Sequence, residues 1–543
     1  MNNPITNYTN QLKNEFAGYN KLSIQKDLMA GITVAAVALP LALAFGVSSG
    51  ADAAAGLITA IVAAIVIGGL SGASYQISGP TGAMSVILVP LAIKYGMTMV
   101  LIAGLMAGVL LIVAGLMKLG KLVYFLPSPV VAGFTSGIAL IIVLGQIDNF
   151  FGVKSEGENA IQKIKYLIQN GFDPNFYAIA IALFVIVLMI VWPKKWNAKV
   201  PASLVGIIVV TIVNLVVKIP IVTVGKIPQT LLHNNRVHFE DFASAPWQEL
   251  LVPAVSIAAL CMIESLLCGV AGGNMKGEQM DGDQELIAQG IGNILLPFLG
   301  GVPATAAIAR TSVAIKSGQK TRLTGIIQGV VLLLSMFIFS PFMSEIPLSA
   351  LAGVLIVTAW RMNEWANIKY IFGRKLHWAA GKFLITMIAT VVFDLTIAIA
   401  AGVIFSLLYF IMRISDIDIE VSKVDPDRMD QEISVSNDVD VMYITGPIFF
   451  GSLNNLMKRI EEHAAGTLIL SMRGVPHVDT SGAQALLEFY EKNHEKGNII
   501  LFASMQDDVK RMFKKAGLTE TAGEKAFFST AKDAIEYLHE RQA

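Results

Sequence analysis

The stretch "LGGVPATAAIARTSVAIKSGQ", residues 299–319, consists largely of small apolar residues, yet it carries Arg310 and opens with Gly300, Gly301 and Pro303. Glycine and proline break a helix rather than begin a long one. A guanidinium inside an apolar segment is costly unless something compensates it. A second stretch, "SYQISGPTGAMSVIL" at residues 74–88, is built the same way. In both, Gly and Pro lead to a threonine (Thr81 one residue after Pro80, Thr305 two after Pro303) and then to a short apolar run.

The surroundings of both stretches are those of a membrane protein. Of 543 residues, 54% are hydrophobic and only 15% charged, against about 25% charged in soluble domains, and the mean hydropathy is +0.63. Apolar windows such as 28–48, 98–117, 124–147 and 384–412 are of bilayer length. The formal net charge is +0, so no basic surface invites nucleic acid. Cys261 and Cys268 lie two helical turns apart in one apolar segment, too far to pair, and read as core residues. The polar first 27 residues, followed by a long apolar stretch without a small-residue cleavage site, predict no cleaved signal peptide.

Fourteen hydrophobic segments are expected, at 28–48, 53–71, 79–94, 98–117, 124–147, 176–193, 200–218, 250–270, 284–299, 304–316, 321–343, 346–361, 378–394 and 395–414. Loop charges test the count. Lys13, Lys21 and Lys26 precede the first segment, and Lys118 and Lys121 follow the fourth. Lys194, Lys195 and Lys199 follow the sixth, Lys316, Lys320 and Arg322 the tenth, and Arg361, Lys369, Arg374 and Lys375 the twelfth. All fall on one side, which the positive-inside rule makes the cytoplasm. Both termini are then expected inside, and the loops 148–175 and 219–249 outside. Asp394 is expected to mark an outer turn.

From residue 415 the composition turns polar. Residues 415–436 read as a linker or the first edge of a new domain. "VDVMYIT", "TLILSM" and "NIILFA" read as strands, and 452–465, 481–496, 506–516 and 530–541 as helices, a small α/β domain at 437–543. The membrane domain spans 28–414, preceded by a polar segment, 1–27.

The two opening stretches enter the third segment of each half of seven. An odd number of segments per half makes the halves inverted repeats. Two short helices approached by broken backbone then begin near the bilayer midplane with their N-termini converging, and their free N–H groups and dipoles suit an anion. Such backbone is tolerated in a membrane only where protein encloses it or water fills the space. Arg310 adds a full charge, and Glu264, the only formal charge within segment 250–270, is the candidate counter-charge. It pairs with Arg310, binds a cation, or carries a proton. Each option couples the anion to a second ion. Arg310 is six residues from Lys316, so snorkelling to the surface is the competing reading. Ser78, Thr81 and Thr305 cap the helices, contact a ligand, or both. Gly104/Gly108 and Gly325/Gly329 read as helix packing contacts. The acidic run "EQMDGDQE" (278–285) has Gly292 where an EF-hand starting at Asp281 needs a glutamate, and reads as a solvated loop. With no P-loop or metal-ligand cluster and with scattered histidines, neither an enzyme nor a metal or other cofactor is expected.

"QISGPTGAMSV" (76–86), "ELIAQGIGNILLPFLGGVPATAAIARTSVAIKSGQKTRLTG" (285–325) and "VPHVDTSGAQAL" (475–486) together resemble the SulP/SLC26 anion transporters over nearly the whole chain. The resemblance implies a polytopic α-helical fold of 14 spans in a 7+7 inverted repeat, like that of the uracil permeases, followed by a cytoplasmic STAS domain. Xanthine and uracil permeases share the membrane fold but lack that domain. The resemblance puts Ser78, Gly79, Thr81, Thr305, Ala306 and Ala307 near the anion, beside the Arg310 charge already read from the residues. Glu264 falls where proton-coupled bacterial members have a glutamate, while a sodium-coupled bicarbonate branch has an aspartate and a sodium site. It further implies secondary transport of sulfate, bicarbonate, chloride or dicarboxylates across a bacterial inner membrane, by a homodimer. The alternatives are sodium-coupled bicarbonate uptake, an uncoupled anion channel, and a membrane-anchored sensor whose STAS domain recruits a cytoplasmic protein. In "DTSG" (479–482), Thr480 matches the position phosphorylated in anti-sigma-factor antagonists, with Ser481 beside it, and one of these two hydroxyls is the expected N-cap of the following helix.

Overall fold

Each of the fourteen apolar segments contains a helix in the computed structural model, which describes residues 4–125, 127–155, 160–193, 196, 200–393, 395–423, 439–463 and 466–542. In chain order these are α1 Lys21–Ser48, α2 Ala53–Leu70, α3 Gly82–Tyr95, α4 Met97–Leu116, α5 Ser128–Gly145, α6 Phe176–Val191 and α7 Ala202–Val217. The second half follows with α8 Trp247–Lys276, α9 Gly282–Leu299, α10 Ile308–Lys316, α11 Leu323–Ser344, α12 Leu348–Met362, α13 His377–Val392 and α14 Leu395–Ile414. The helices containing α1, α2, α4, α5, α8 and α11 are long and apolar enough to cross a membrane by length and composition alone. Asp394 lies outside the described residues.

α3 and α10 are the shortest of the fourteen helices. α3 has 14 residues and α10 has 9, about 21 Å and about 14 Å of helix against a hydrocarbon core of about 30 Å. Each is preceded by a two-residue strand, β1 Ser78–Gly79 and β2 Thr305–Ala306, and the strands pair antiparallel with Ser78 opposite Ala306 and Gly79 opposite Thr305. The inverted repeat therefore closes on itself at a two-stranded crossing.

Around that crossing the packing is close enough to require glycine. A Cβ on Gly108 of α4 would stand 2.7 Å from the Gly290 carbonyl of α9, and one on Gly290 would stand 2.6 Å from the Gly108 carbonyl. The two backbones touch directly. A Cβ on Gly104 would meet the Pro303 ring at 2.7 Å, and one on Gly329 would meet Ile65 of α2 at 2.6 Å. These spacings serve packing, as their pattern predicts.

The N-terminal residues are a docked helix as well as a polar segment. Pro4–Glu15 is helical, and Glu15 meets Arg322 in a buried ion pair of 2.7 Å, with the two side chains 5% and 3% exposed. Arg322 also donates through Nη1 to the carbonyls of Gly69 (2.9 Å) and Ser71 (3.0 Å) and to Tyr8 Oη (3.1 Å). Near the start of α1, Asp27 accepts from the Lys320 and Thr321 amides at 2.6 and 3.1 Å and from the Tyr19 phenol at 2.8 Å. Burial and that carboxylate push Tyr19 up to about 12.

The chain divides into two compact units, Met1–Val403 and Ile404–Ala543. The second holds a five-stranded sheet, β3 Asp418–Lys423, β4 Val439–Thr445, β5 Thr467–Gly474, β6 Ile499–Ala503 and β7 Phe527–Phe528, in that spatial order. β3 runs antiparallel to β4 and the remaining pairs are parallel. The 415–436 stretch thus begins with a sheet edge, because Ile417, Ile419 and Val421 alternate toward the core. Residues 424–436 lie outside the described residues. Helices α15 Leu453–Glu462, α16 Thr480–Glu495, α17 Asp507–Lys515 and α18 Ala531–Gln542 cover the four helical stretches read from the sequence.

One expectation here is corrected. The N-cap of α16 is Asp479, whose Oδ1 accepts from the Gly482 amide at 2.7 Å, not Thr480 or Ser481. Oδ2 of Asp479 accepts from the Phe450 amide at 3.2 Å. The carboxylate answers two amides at once, which a single hydroxyl does less well. Thr480 and Ser481 are left exposed in the first turn.

A candidate anion site at the crossing of two half-helices

The crossing brings the residues read from the sequence as anion ligands, Ser78, Gly79, Thr81, Thr305, Ala306, Ala307 and Arg310, together with Glu264. Thr81 is the N-cap of α3, its Oγ1 accepting from the Met84 amide at 3.3 Å. The same hydroxyl donates to Glu264 Oε2 at 2.9 Å, which ties the cap to the middle of α8. Thr305 caps nothing. Its hydroxyl pairs with Ser265 Oγ at 2.9 Å, and Ser265 also receives the Ala306 amide at 3.3 Å. Ala307 is the N-cap of α10 and has no side-chain oxygen to offer, while its own amide donates to the Ile77 carbonyl at 3.0 Å. Ser78 accepts from Gln289 Nε2 at 2.8 Å.

Arg310 does not snorkel. It is 1% exposed, donates through Nη2 to the Pro80 carbonyl at 3.0 Å, and lies so close over Gly79 that a Cβ there would meet Nη1 at 2.6 Å. Nη1 is buried with no hydrogen-bond partner among the described residues. A buried guanidinium nitrogen without an acceptor is expensive unless a ligand supplies one. Arg310 and Glu264 bind neighbouring residues of the same turn, Pro80 and Thr81, rather than each other: among the described residues no ion pair joins them. The field of one is felt by the other across that turn, but each keeps its own hydrogen-bonding task.

A cavity of about 1230 Å³ reaches the first turn of α3. Its walls are Phe45 and Ser48 of α1, Gly82 and Ser85 of α3, and Ser256 of α8 on one side, facing Ile142 of α5, Leu355 of α12 and Thr390 of α13. Its lining extends to Ser48 and Gly50 at the end of α1, about 30 Å of helix from Asp27 and the Lys320–Thr321 loop. Phe45 and Ile142 flank Gly82 at its floor.

Sequence reasoning missed the residues behind the crossing. Glu285, at the end of the acidic run read as a solvated loop, is buried inside α9, along with Gln289 and Asn293. The correction has a plain cause: only the first part of "EQMDGDQE" is loop, and the helix capped by Asp281 turns Glu285 inward. The signal that could have found these residues is their spacing, four apart along one face of the helix. Cys261 and Cys268 are free and buried, as expected, with Cys261 Sγ donating to the Ala304 carbonyl at 3.3 Å.

Inverted half-helices crossing at a protein-enclosed turn, followed along the chain by an α/β unit, define a multi-pass carrier fold. The chain belongs to the sulfate permease family, whose sequence profile matches residues 24–389, and a STAS domain profile matches residues 430–534. "Putative sulfate transporter YvdB" of Bacillus subtilis is 37% identical over 94% of this chain and 97% of its own length. "Bicarbonate transporter BicA" of Picosynechococcus sp. is 28% identical over 91% of each. Among solved structures, that of SLC26A9 superimposes with a TM-score of 0.82 at 18% identity, covering 97% of this chain and 92% of that one, which speaks to the fold. The transmembrane domain of a cyanobacterial bicarbonate transporter BicA matches with a TM-score of 0.63 and 29% identity, covering 71% of this chain and 97% of that one. These relatives are transporters and not enzymes.

Proposed function

We propose that this protein is a secondary transporter carrying small anions of the sulfate, bicarbonate or dicarboxylate class across a bacterial plasma membrane, with Glu264 coupling the anion to protons. The observation that supports the reading is the Ser78–Gly79 to Thr305–Ala306 pairing, which joins the approaches to α3 and α10, with the unpartnered Arg310 nitrogen against Gly79 and Glu264 bonded to Thr81. N–H groups, a hydroxyl and a guanidinium favour an acceptor-rich ligand over a neutral one. A carboxylate one hydrogen bond from the same turn has no role in a simple anion channel or sensor, but gives a symporter its second ion. The side of the loop charges supports cytoplasmic termini, and the 1230 Å³ cavity then extends to the outer end of α1. Ser78, Gly79, Ala306 and Ala307 supply backbone at the anion, Thr81 and Thr305 its hydroxyl rim. A homodimer with the STAS unit as its contact for cytoplasmic partners, switched at Thr480 or Ser481, completes the reading.

The test is uptake of radiolabelled sulfate, bicarbonate and fumarate into proteoliposomes under imposed proton or sodium gradients. Accumulation of one of them driven by a proton gradient is expected. Accumulation driven only by sodium would replace the proton by a sodium ion between Glu264 and Thr81. Equilibration without accumulation under any gradient would make the protein a channel and sink the coupling role.

A further inference from the structure

Helix α9 presents Glu285, Gln289 and Asn293 on one buried face, at positions i, i+4 and i+8. Glu285 Oε2 accepts from the Ser71 hydroxyl and, at 3.1 Å, from the Gly72 amide. Its Oε1 accepts from Gln289 Nε2 at 2.8 Å, and the second Nε2 proton goes to Ser78 Oγ, also at 2.8 Å. The Asn293 amide closes a two-way bridge with Ala304, Nδ2 donating to its carbonyl at 3.0 Å and Oδ1 accepting its N–H at 2.8 Å. One helix face therefore holds the first approach at Ser71, Gly72 and Ser78 and the second at Ala304. The paired strands lie between those holds. Both protons of the Gln289 amide are used, so a flipped amide would set its oxygen against the Glu285 carboxylate.

We infer that Glu285, Gln289 and Asn293 are positioning residues, a ladder that sets the register of the two half-helix starts and through it the affinity for the anion. The inference rests on reading the crossing as the anion site. It acts through Ser78 and Ala304, and none of the three needs to touch the ligand. The carboxylate is the rung that orients the amide, which gives a buried charged group in the first turn of α9 a task.

Gln289→Glu keeps the shape, removes the donor to Ser78 and sets a second carboxylate beside Glu285. Two adjacent carboxylates retain a shared proton at low pH and repel when it leaves. In the full-length protein in proteoliposomes, the half-saturation concentration for labelled sulfate or bicarbonate is expected to rise about tenfold or more, with a smaller change in maximal rate, and the defect to deepen as pH rises. Hydrogen exchange across residues 302–310 is expected to quicken by a similar factor. The double variant Glu285→Gln/Gln289→Glu restores one carboxylate and one amide with the polarity reversed, the amide at 285 and the Ser78 hydroxyl both donating to the carboxylate at 289, so both readouts should return toward the original. Unchanged half-saturation and unchanged exchange, or a loss that the double variant fails to recover, would overturn the ladder. If the unaltered protein takes up no labelled anion, the transport reading falls while the exchange measurement still decides the ladder. If Gln289→Glu does not fold, Asn293→Ser decides it by the same exchange, faster at Ala304 in support and unchanged in refutation.

Discussion

The two helix starts at the crossing share a backbone device and differ in chemistry. At α3 the start is capped by a side chain: Thr81 serves the Met84 amide and is itself tied to Glu264. At α10 the cap is Ala307, which has no oxygen, and the charged neighbour is Arg310 reaching back to Pro80. One end is thus closed and linked to a titratable carboxylate, and the other is left bare beside a cation. An inverted repeat supplies two equivalent geometries, and in the proposed function side-chain choice is what makes one of them answer to a coupling ion and the other to an anion.

The largest expected effect removes that division. Glu264→Gln should abolish gradient-driven accumulation while exchange of anion across the membrane survives in part. Accumulation with an unaltered pH dependence in this variant would break the comparison at the α3 end. Next in size, Thr305→Met puts a long side chain where Thr305 is fully buried against Ser265, with an overpacking cost of about 1–3 kcal/mol. Transport should stop in a protein that is still inserted, and Thr81→Met should do the same; ordinary uptake by both would move the site elsewhere. Arg310→Ala should weaken anion binding by about tenfold or more, since hydrogen bonds to charged groups contribute about 1.5–3 kcal/mol. Calorimetric titration with sulfate or bicarbonate reads this, and an unchanged affinity would leave Arg310 a purely structural residue. The smallest effect sharpens the contrast most directly. Ala307→Ser gives α10 the kind of cap α3 already has, which is worth about 1 kcal/mol to a helix. The protein should melt higher, and anion affinity should fall about threefold to fivefold as the new oxygen competes for the same N–H groups. Tighter binding in this variant would show that the bare end is not where the anion sits.

Much of this was legible in the sequence because hydropathy and parity are local signals. Segment lengths, the Gly and Pro before Thr81 and Thr305, and the odd number of segments per half were enough to foresee two converging half-helices. The strands and helices around "DTSG" followed from their periodicity. What escaped were partners. Asp479 rather than Thr480 caps α16 because it also answers Phe450, 29 residues away. Glu285 looked like part of a wet acidic loop because nothing nearby in sequence announces Ser71 and Gly72, its partners more than 200 residues earlier. Arg310 read equally well as a surface-seeking residue until the position of Pro80 was known. Long-range hydrogen bonds leave no periodic trace in one chain.

The pair between Glu15 and Arg322 has a consequence for how the protein is made. The partners are 307 residues apart, and a ribosome adding about 5–20 residues per second takes about 15–60 s to cover that distance. Throughout that interval the N-terminal helix is already synthesised but has no Arg322 to meet, while α1 to α10 enter the bilayer. Its docking therefore cannot precede the synthesis of Arg322. A chain that stalls or misinserts before α11 leaves Glu15 without its arginine, and the undocked helix distinguishes unfinished molecules from finished ones.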